Sequence, residues 1–461
     1  MTNQSEPRSA TLGWGSIVRL GLVQTSLGAV VVLTTSTINR VMVVELALPA
    51  MLPGALVALH YFIQLARPRL GYGSDVGGRR TPWIIGGMAV LALGGVGAAL
   101  ATATMAESVL VGSLLATLAF VLVGVGVGAS GTSLLVLLAK QTAPERRPAA
   151  ATITWVMMIV GFIMTAGVAG ALLDPFSMTR LIAVTAGVGA CALLVTTAAV
   201  WGVERASDPA AAEEAEVDVG SRDAPFSAAL REVWSETRAR RFTIFVFASM
   251  LAYSAQDLIL EPFAGTVFGF TPGESTQLAG IQNSGVLLGM IVLALLGSRI
   301  GTLRMWTAGG CVASACALAL LAFGGLQGPG WPLEASVFAL GASNGVFAVA
   351  AIGSMMQHVG EGHESREGLR MGLWGAAQAL AFAVGGFFGT AAIDVTRSLL
   401  ADPAWAYGLV FVLEATAFVV AAGLALWSMG SAVPAAEVAP AETSKGSRNN
   451  EELTPAWATG G

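Results

Sequence analysis

Charged residues are scarce in this sequence, and their scarcity decides its class. Of 461 residues only 11% are Asp, Glu, Lys or Arg, whereas 55% are hydrophobic. A typical soluble domain has about 25% charged residues. A helix needs about 20 apolar residues to cross a bilayer, which gives this chain room for about twelve spans. The composition therefore excludes an ordinary soluble protein and predicts an all-α polytopic membrane protein.

Histidine and cysteine are equally rare, with three residues of each. Cys191, Cys311 and Cys316 lie in apolar runs and lack the spacing of a metal site. The sequence has no nucleophile and base constellation and no phosphate-binding loop, so we expect neither an enzyme nor a metal centre. A net charge of -5 gives no reason to expect a nucleic-acid partner.

The distribution of arginine predicts the orientation of the spans. Of the 24 Lys and Arg residues, all but Arg40, Arg180 and Arg397 fall on the side of the N-terminus. The positive-inside rule then places both termini in the cytoplasm. The predicted spans are 14–38, 48–66, 82–104, 109–138, 150–173, 181–203, 242–265, 276–298, 305–325, 333–356, 369–391 and 405–429.

An internal repeat divides the chain near its middle. Five residues recur 219 positions later: Glu145, Arg147, Trp155, Gly167 and Gly170 correspond to Glu364, Arg366, Trp374, Gly386 and Gly389. We expect a six-helix half at 1–204, a cytoplasmic linker with an amphipathic surface helix at 205–241, a second half at 242–430, and a disordered cytoplasmic tail at 431–461. Repeats in this parallel arrangement are typical of the major facilitator superfamily.

The loop between spans 2 and 3 carries a motif of that superfamily. Gly71, Asp75, Gly78, Arg79 and Arg80 match every specified position of the signature G-x-x-x-D-x-x-G-R-R/K. We expect these residues to form an inner gate, with the arginines at the membrane interface. The motif supports a major-facilitator-type fold of twelve transmembrane helices in two halves, and it says little about substrate.

Polar residues crowd the outer ends of spans 1 and 7. Asn39, Arg40 and Glu45 follow the outer end of span 1, and span 7 has Gln256, Asp257 and Glu261 at related positions. We predict an outer gate in which Arg40 pairs with Asp257 or Glu261. The alternative is that these side chains only reach the water boundary. Asp257 and Glu261 are one turn apart, and Glu414 lies inside span 12, so these carboxyls are also candidate proton carriers.

His60 is the histidine that falls within a predicted span, with Gln64 one turn below it. A neutral imidazole can ligate the magnesium of a chlorophyll. The alternative is a histidine that hydrogen-bonds within the helix bundle. His60 is therefore a possible pigment ligand.

The sequence resembles the PucC/LhaA family of phototrophic bacteria over roughly residues 14–429. The resemblance is carried by Asn39-Arg40 with Glu45, by the loop motif with Asp75, and by Gln256-Asp257 with Glu261-Pro262. It implies a factor that assembles light-harvesting complexes in the photosynthetic inner membrane, with bacteriochlorophyll as cargo and antenna polypeptides and membrane lipid as partners.

Two other functions fit the residues themselves. One is an ion-coupled transporter of a small hydrophobic solute, because an apolar helix bundle suits such a cargo. The other is a scaffold that carries no cargo.

Overall fold

A computed structural model describes residues 12–65, 79–143, 146–203, 234–297, 299–359 and 367–429. Gly71, Asp75 and Gly78 of the predicted inner gate, the tail 431–461 and most of the linker lie outside these ranges. The described helices are α1 Trp14–Glu45, α2 Met51–Gln64, α3 Thr81–Met105, α4 Val109–Gln141, α5 Arg147–Leu173, α6 Met178–Val200, α7 Thr237–Phe268, α8 Pro272–Leu296, α9 Leu303–Gln327, α10 Leu333–Val359, α11 Glu367–Leu399 and α12 Pro403–Ser428.

Eleven of the described helices are long and apolar enough to cross a membrane. The other, α2, is apolar and shorter, and it ends beside residues that are not described. Large apolar side chains on the outside of the bundle, such as Leu110, Leu194 and Leu413, are exposed as lipid-facing residues are. Each helix overlaps one of the twelve predicted spans, although α1 and α11 continue seven and eight residues past the predicted ends. The predicted fold class is confirmed.

Polar caps set where several helices begin. The side chains of Ser108 and Ser177 accept backbone hydrogen bonds at the starts of α4 and α6. Thr271 and Glu274 form a reciprocal capping box at the start of α8. Such caps satisfy amide groups that have no partner within the helix, so they fix the short turns at which the chain reverses.

The helix contacts repeat with the period that the sequence repeat predicts. In the first half α1 packs on α5 and α6, α2 packs on α4, and α3 packs on α4 and α6. In the second half α7 packs on α11 and α12, α8 packs on α10, and α9 packs on α10 and α12. Between the halves, α2 packs on α11 and α5 packs on α8. Each of these two contacts becomes the other when the halves are interchanged. This is the pattern of a pseudo-twofold axis.

Glycine allows α3 and α4 to pack closely. A Cβ atom at Gly87 would lie 2.5 Å from the amide nitrogen of Ser130, and one at Gly126 would lie 2.5 Å from that of Leu91. Membrane helices approach this closely where small residues face each other. The glycines of this region therefore serve helix packing.

The repeated tryptophans have different environments. Trp155 of α5 is 39% exposed, whereas Trp374 of α11 is 1% exposed and lies edge-on to Phe242 at 4.9 Å between ring centroids. Among the described residues, most of the largest fully buried aromatic side chains lie in the second half, and the first half contributes Phe120. The repeat preserves residue type more closely than residue role.

The predicted surface helix of the linker lies mostly outside the described residues, including Phe226, Leu230 and Val233. Residues 237–241, which the sequence placed in the linker, are the start of α7. The apolar pattern of the linker continues into a spanning helix, so periodicity alone could not mark the boundary.

Candidate functional site

The six predicted outer-gate residues lie where the ends of α1 and α7 meet. Both helices finish at the end of the bundle formed by the turns 46–50, 106–108, 174–177, 269–271, 328–332 and 400–402, which we call the arginine-poor end. Asn39, Arg40 and Glu45 come from α1, and Gln256, Asp257 and Glu261 come from α7. The two helices contact each other along this stretch, so the halves meet here.

Asn39 and Pro262 act on the same backbone carbonyl. Pro262 lies inside α7 and has no amide hydrogen, so the carbonyl of Leu258 loses its usual donor four residues later. The Asn39 side-chain amide, which is buried, donates to this Leu258 oxygen at 2.7 Å. The asparagine of one half thus satisfies a carbonyl that the proline of the other half leaves open.

Two π-helical turns distort α1 beside this contact, at Leu33–Thr37 and Val41–Glu45. A π turn brings residues five apart in sequence together and is frequent at functional sites. Arg40 accordingly forms an ion pair with Glu45, with 2.5 Å between Nη1 and Oε1. The α-helical spacing assumed from the sequence could not predict this pair.

Arg40 is 2% exposed and reaches across to the end of α7. Its Nη2 donates to the carbonyl oxygen of Phe270 at 2.5 Å, just beyond the helix C-terminus, where the helix dipole favours a cation. A Cβ atom at Gly265 would lie 2.9 Å from the same guanidinium, so a larger residue there would displace the Arg40 side chain.

The direct partner of Arg40 differs from the predicted one. The sequence suggested Asp257 or Glu261, but Arg40 pairs with Glu45 because the π turn aligns these two side chains. Arg40 and Glu261 are buried, not placed at the water boundary. The role of the six residues as a gate stays a prediction.

Ser36 and Thr37 extend the contact and were missed by sequence reasoning. Ser36 donates a hydrogen bond to the buried carboxylate of Glu261, and the hydroxyl oxygens of Thr37 and Thr276 are 3.0 Å apart. Hydroxyl residues are common in membrane helices, so their identity alone gives no signal. Only the packing of α1 against α7 and α8 assigns them to the site.

Two aspartates close the same end of the bundle. Asp394 of α11 accepts hydrogen bonds from the amides of Ala50 and Met51, both at 2.8 Å, and so caps α2 from the other half. Asp174, after α5, accepts from the hydroxyl of Thr271 at 3.0 Å. These contacts, together with those of α1, hold the halves together at the arginine-poor end.

Gln256 and Asp257 point to different surroundings. The carboxyl group of half-buried Asp257 lies near the side chain of Gln282 of α8. Gln256 is fully buried, and neither polar atom of its side chain has a hydrogen-bond partner among the described residues. The two neighbours in sequence therefore belong to different interfaces of α7.

His60 is buried in the first half. Its Nε2 is 2.7 Å from the side-chain nitrogen of Gln64, and its ring is tilted against Tyr61, with 4.5 Å between centroids. The predicted inner gate is represented by exposed Arg79 and buried Arg80, which precede α3. Gly71, Asp75 and Gly78 lie outside the described residues.

The arrangement suits a reversible latch between helices, a name we use for Ser36, Thr37, Asn39, Arg40, Glu45, Glu261 and Thr276. Within the described part of the chain no group of three or more His, Cys, Asp or Glu side chains could hold a metal ion. The contacts are short polar ones between facing helices, which two packed halves can break and remake.

A model of the PUCC protein family matches residues 37–430, a region that includes all six predicted outer-gate residues. The chain belongs to the PUCC family. A relative in Rhodobacter capsulatus, "Bacteriochlorophyll synthase 44.5 kDa chain", is 56% identical over 418 residues, which cover 90% of this chain and 95% of that protein. "Protein PucC" of the same organism is 30% identical and covers 89% of this chain and 91% of its own length.

Solved structures confirm the fold of this PUCC family member. The nucleoside transporter NupG has a TM-score of 0.68 at 15% identity and covers 90% of this chain and 99% of its own. A peptide transporter, POT, in complex with sulfate has a TM-score of 0.65 at 14% identity, over 90% and 95% of the two chains. At this identity the likeness shows the major-facilitator-type fold alone. The chain is a multi-pass bacterial membrane protein.

Proposed function

We propose that this PUCC family protein assembles light-harvesting antenna complexes by binding or delivering bacteriochlorophyll to antenna polypeptides within the membrane. The observation that carries the proposal is family membership along nearly the whole chain, together with a relative at 56% identity whose name refers to bacteriochlorophyll. A pigment with an apolar tail would pass laterally between helices, and the large apolar side chains exposed on the outside of the bundle suit such a path.

The name of that relative includes the word synthase, and we propose a role without catalysis for this chain. The polar residues of the latch hydrogen-bond to one another or to backbone groups. Their geometry serves helix packing, and the same fold occurs in transporters. Bacteriochlorophyll would then be cargo, not substrate.

We place the protein in the photosynthetic inner membrane with both termini in the cytoplasm. The arginine distribution supports this orientation. We retain the proposed division into two halves, at 1–204 and 242–430, joined by the linker 205–241, because the helix contacts repeat between them.

His60 remains the proposed pigment ligand, and its contact with Gln64 sets a condition for that role. Gln64 occupies Nε2, so a magnesium could bind there only after Gln64 turns away. The two residues therefore compete, and variants of each should act in opposite directions on pigment content.

The first experiment is an absorption spectrum of the tagged protein, purified gently from a phototrophic host, with mass spectrometry of the small polypeptides that accompany it. We expect bound bacteriochlorophyll together with antenna polypeptides. Antenna polypeptides without pigment would favour the scaffold, and a colourless protein without partners would contradict the proposal.

A transporter of a small hydrophobic solute is the second candidate, favoured by the likeness to NupG and POT. It predicts that Asp257→Asn or Glu261→Gln stops uptake or efflux in proteoliposomes, with exposed Glu334→Gln as a matched control. Unchanged solute movement in both site variants would count against it.

A further inference from the structure

Glu414 is a carboxyl group inside the second half that the latch does not use. It lies in the middle of α12 and is 6% exposed. Phe411 and Phe418, on the same face of α12, pack against Phe263 at 4.9 Å and Phe347 at 6.1 Å between ring centroids. Neither carboxyl oxygen of Glu414 has a hydrogen-bond partner among the described residues.

Such surroundings disfavour a negative charge. An ionised carboxylate in an apolar interior needs a cation or several hydrogen bonds, and within the described ranges no Lys, Arg or His forms an ion pair with Glu414. The charged side chain close enough to interact with Glu414 is Asp257 of α7, which carries the same sign. Two carboxyls whose charges influence each other disfavour the state in which both are ionised.

The cations that other helices bring to α12 lie about three turns from Glu414: Arg304 of α9 donates to the carbonyl oxygen of Leu426, and Arg241 of α7 lies over the ring of Trp427. From α9 the ionisable side chain in the core is the thiol of Cys311, and the hydroxyl of Ser314 donates to Asn344 of α10. From α11 Asp394 and Arg397 interact with Tyr407, which lies two turns from Glu414 toward the arginine-poor end. Asp257 in turn neighbours Tyr253, one turn away on α7.

The two carboxyls differ in access to solvent. Asp257 is half-buried and lies near Gln282, whereas Glu414 is buried and has no hydrogen-bond partner among the described residues. Gln256, beside Asp257, is also buried and without a partner among the described residues, and it lies on the same face of α7 as Phe263, two turns away. Phe263 packs on α12, so unsatisfied polar groups from both helices converge on the α7 and α12 interface.

We propose that Glu414 and Asp257 form a proton-binding pair in the second half, in which Glu414 holds the proton and Asp257 exchanges it with solvent. When a proton passes from the carboxyl of Glu414 to the carboxylate of Asp257, the pair keeps one negative charge. Loss of that proton to water leaves two negative charges and weakens the packing of α7 on α12. The proposed pair goes beyond antenna assembly, because binding or loss of a proton there would change the packing of α7 on α12.

The test uses N,N'-dicyclohexylcarbodiimide, which reacts with protonated carboxyls in apolar surroundings, on the intact wild-type protein in membranes. Mass spectrometry should find the adduct on Glu414 at neutral pH, with labelling that falls severalfold as the pH is raised. Exposed Glu334 in the first turn of α10 is the matched control and should stay unlabelled.

Infrared spectroscopy provides a second readout that does not depend on access of the reagent. The carbonyl stretch of a protonated carboxyl should be present in the wild type, absent in Glu414→Gln, and unchanged in Glu334→Gln. In Asp257→Asn the band should remain, and its exchange in deuterium oxide should slow severalfold.

A wild-type protein without adduct on Glu414 and without a protonated carboxyl band would overturn the proposal. The wild-type measurements need no variant, so a variant that fails to fold leaves them decisive. Pigment binding is measured in a separate experiment. The proposal of a proton-binding pair can therefore be contradicted while the proposal of antenna assembly is supported, and antenna assembly can be contradicted while the pair is supported.

Discussion

Pro262 leaves the Leu258 carbonyl open, and Asn39 from the other half closes it. In the sequence, Asn39 and Pro262 belong to two separate segments that resemble the family. The shared carbonyl gives a physical reason why both residues are present. Burying the polar side chain of an asparagine costs little free energy where its amide donates to a carbonyl that has no other donor. The contact therefore links a local irregularity of α7 to the association of the halves.

A double-mutant cycle tests that link. Asn39→Ala should lower stability by about 1 kcal/mol, because it leaves a buried carbonyl unsatisfied. In a Pro262→Ala background, residue 262 regains its amide and donates to Leu258, so the same change should cost close to nothing. Unfolding of the detergent-solubilised variants measures both values, and an equal cost in the two backgrounds would contradict the assignment.

His60 and Gln64 offer a second test at this scale. If His60 ligates pigment, His60→Phe should remove bacteriochlorophyll from the purified protein, whereas Gln64→Leu should keep or increase it by freeing Nε2. The ratio of pigment to protein is the measurement. Equal pigment in the wild type and His60→Phe would show that the histidine serves packing alone.

At the scale of the helix, close approach of α3 and α4 depends on particular glycines. Gly86 and Gly87 are neighbours, yet only a Cβ atom at Gly87 would meet backbone, since nothing lies within 4 Å of one at Gly86. The face of the helix, not the residue type, decides which glycine matters. The sequence shows the glycines and does not show which face is turned to α4.

Gly87→Ala should destabilise the protein by about 1 to 3 kcal/mol, because Ser130 must move away. Gly86→Ala is the matched control and should be neutral or stabilising by up to about 1 kcal/mol through its helix propensity. Thermal unfolding in detergent compares the two. Equal effects would mean that α3 and α4 do not pack as described.

For the whole molecule, the decisive feature is that several contacts close the arginine-poor end at once. Helix α1 bonds to α7 and α8, Asp394 caps α2, and Asp174 meets Thr271. Function that needs the halves to rock must break these contacts together. A scaffold would keep them throughout.

A reversible cross-link separates these two modes. The Thr37 and Thr276 oxygens are 3.0 Å apart, so cysteines at both positions should form a disulfide. In a background without Cys191 and Cys316, oxidation should stop transfer of bacteriochlorophyll to antenna polypeptides in proteoliposomes, and a reductant should restore it. The two single-cysteine variants are the controls, and full transfer by the oxidised double variant would favour the scaffold.

The sequence by itself determined the membrane class, the spans, the major-facilitator-type fold and the family, because these follow from composition, period and motif, which are local or repeated along the chain. It also brought Arg40 and Glu261 into one region. Tertiary structure alone decided the partners: Glu45 for Arg40, the Leu258 carbonyl for Asn39, and Ser36 for Glu261. Each of these depends on a π turn, a proline or a crossing of helices, and so on the distances between side chains and backbone groups in the folded bundle, which a regular helical period does not encode.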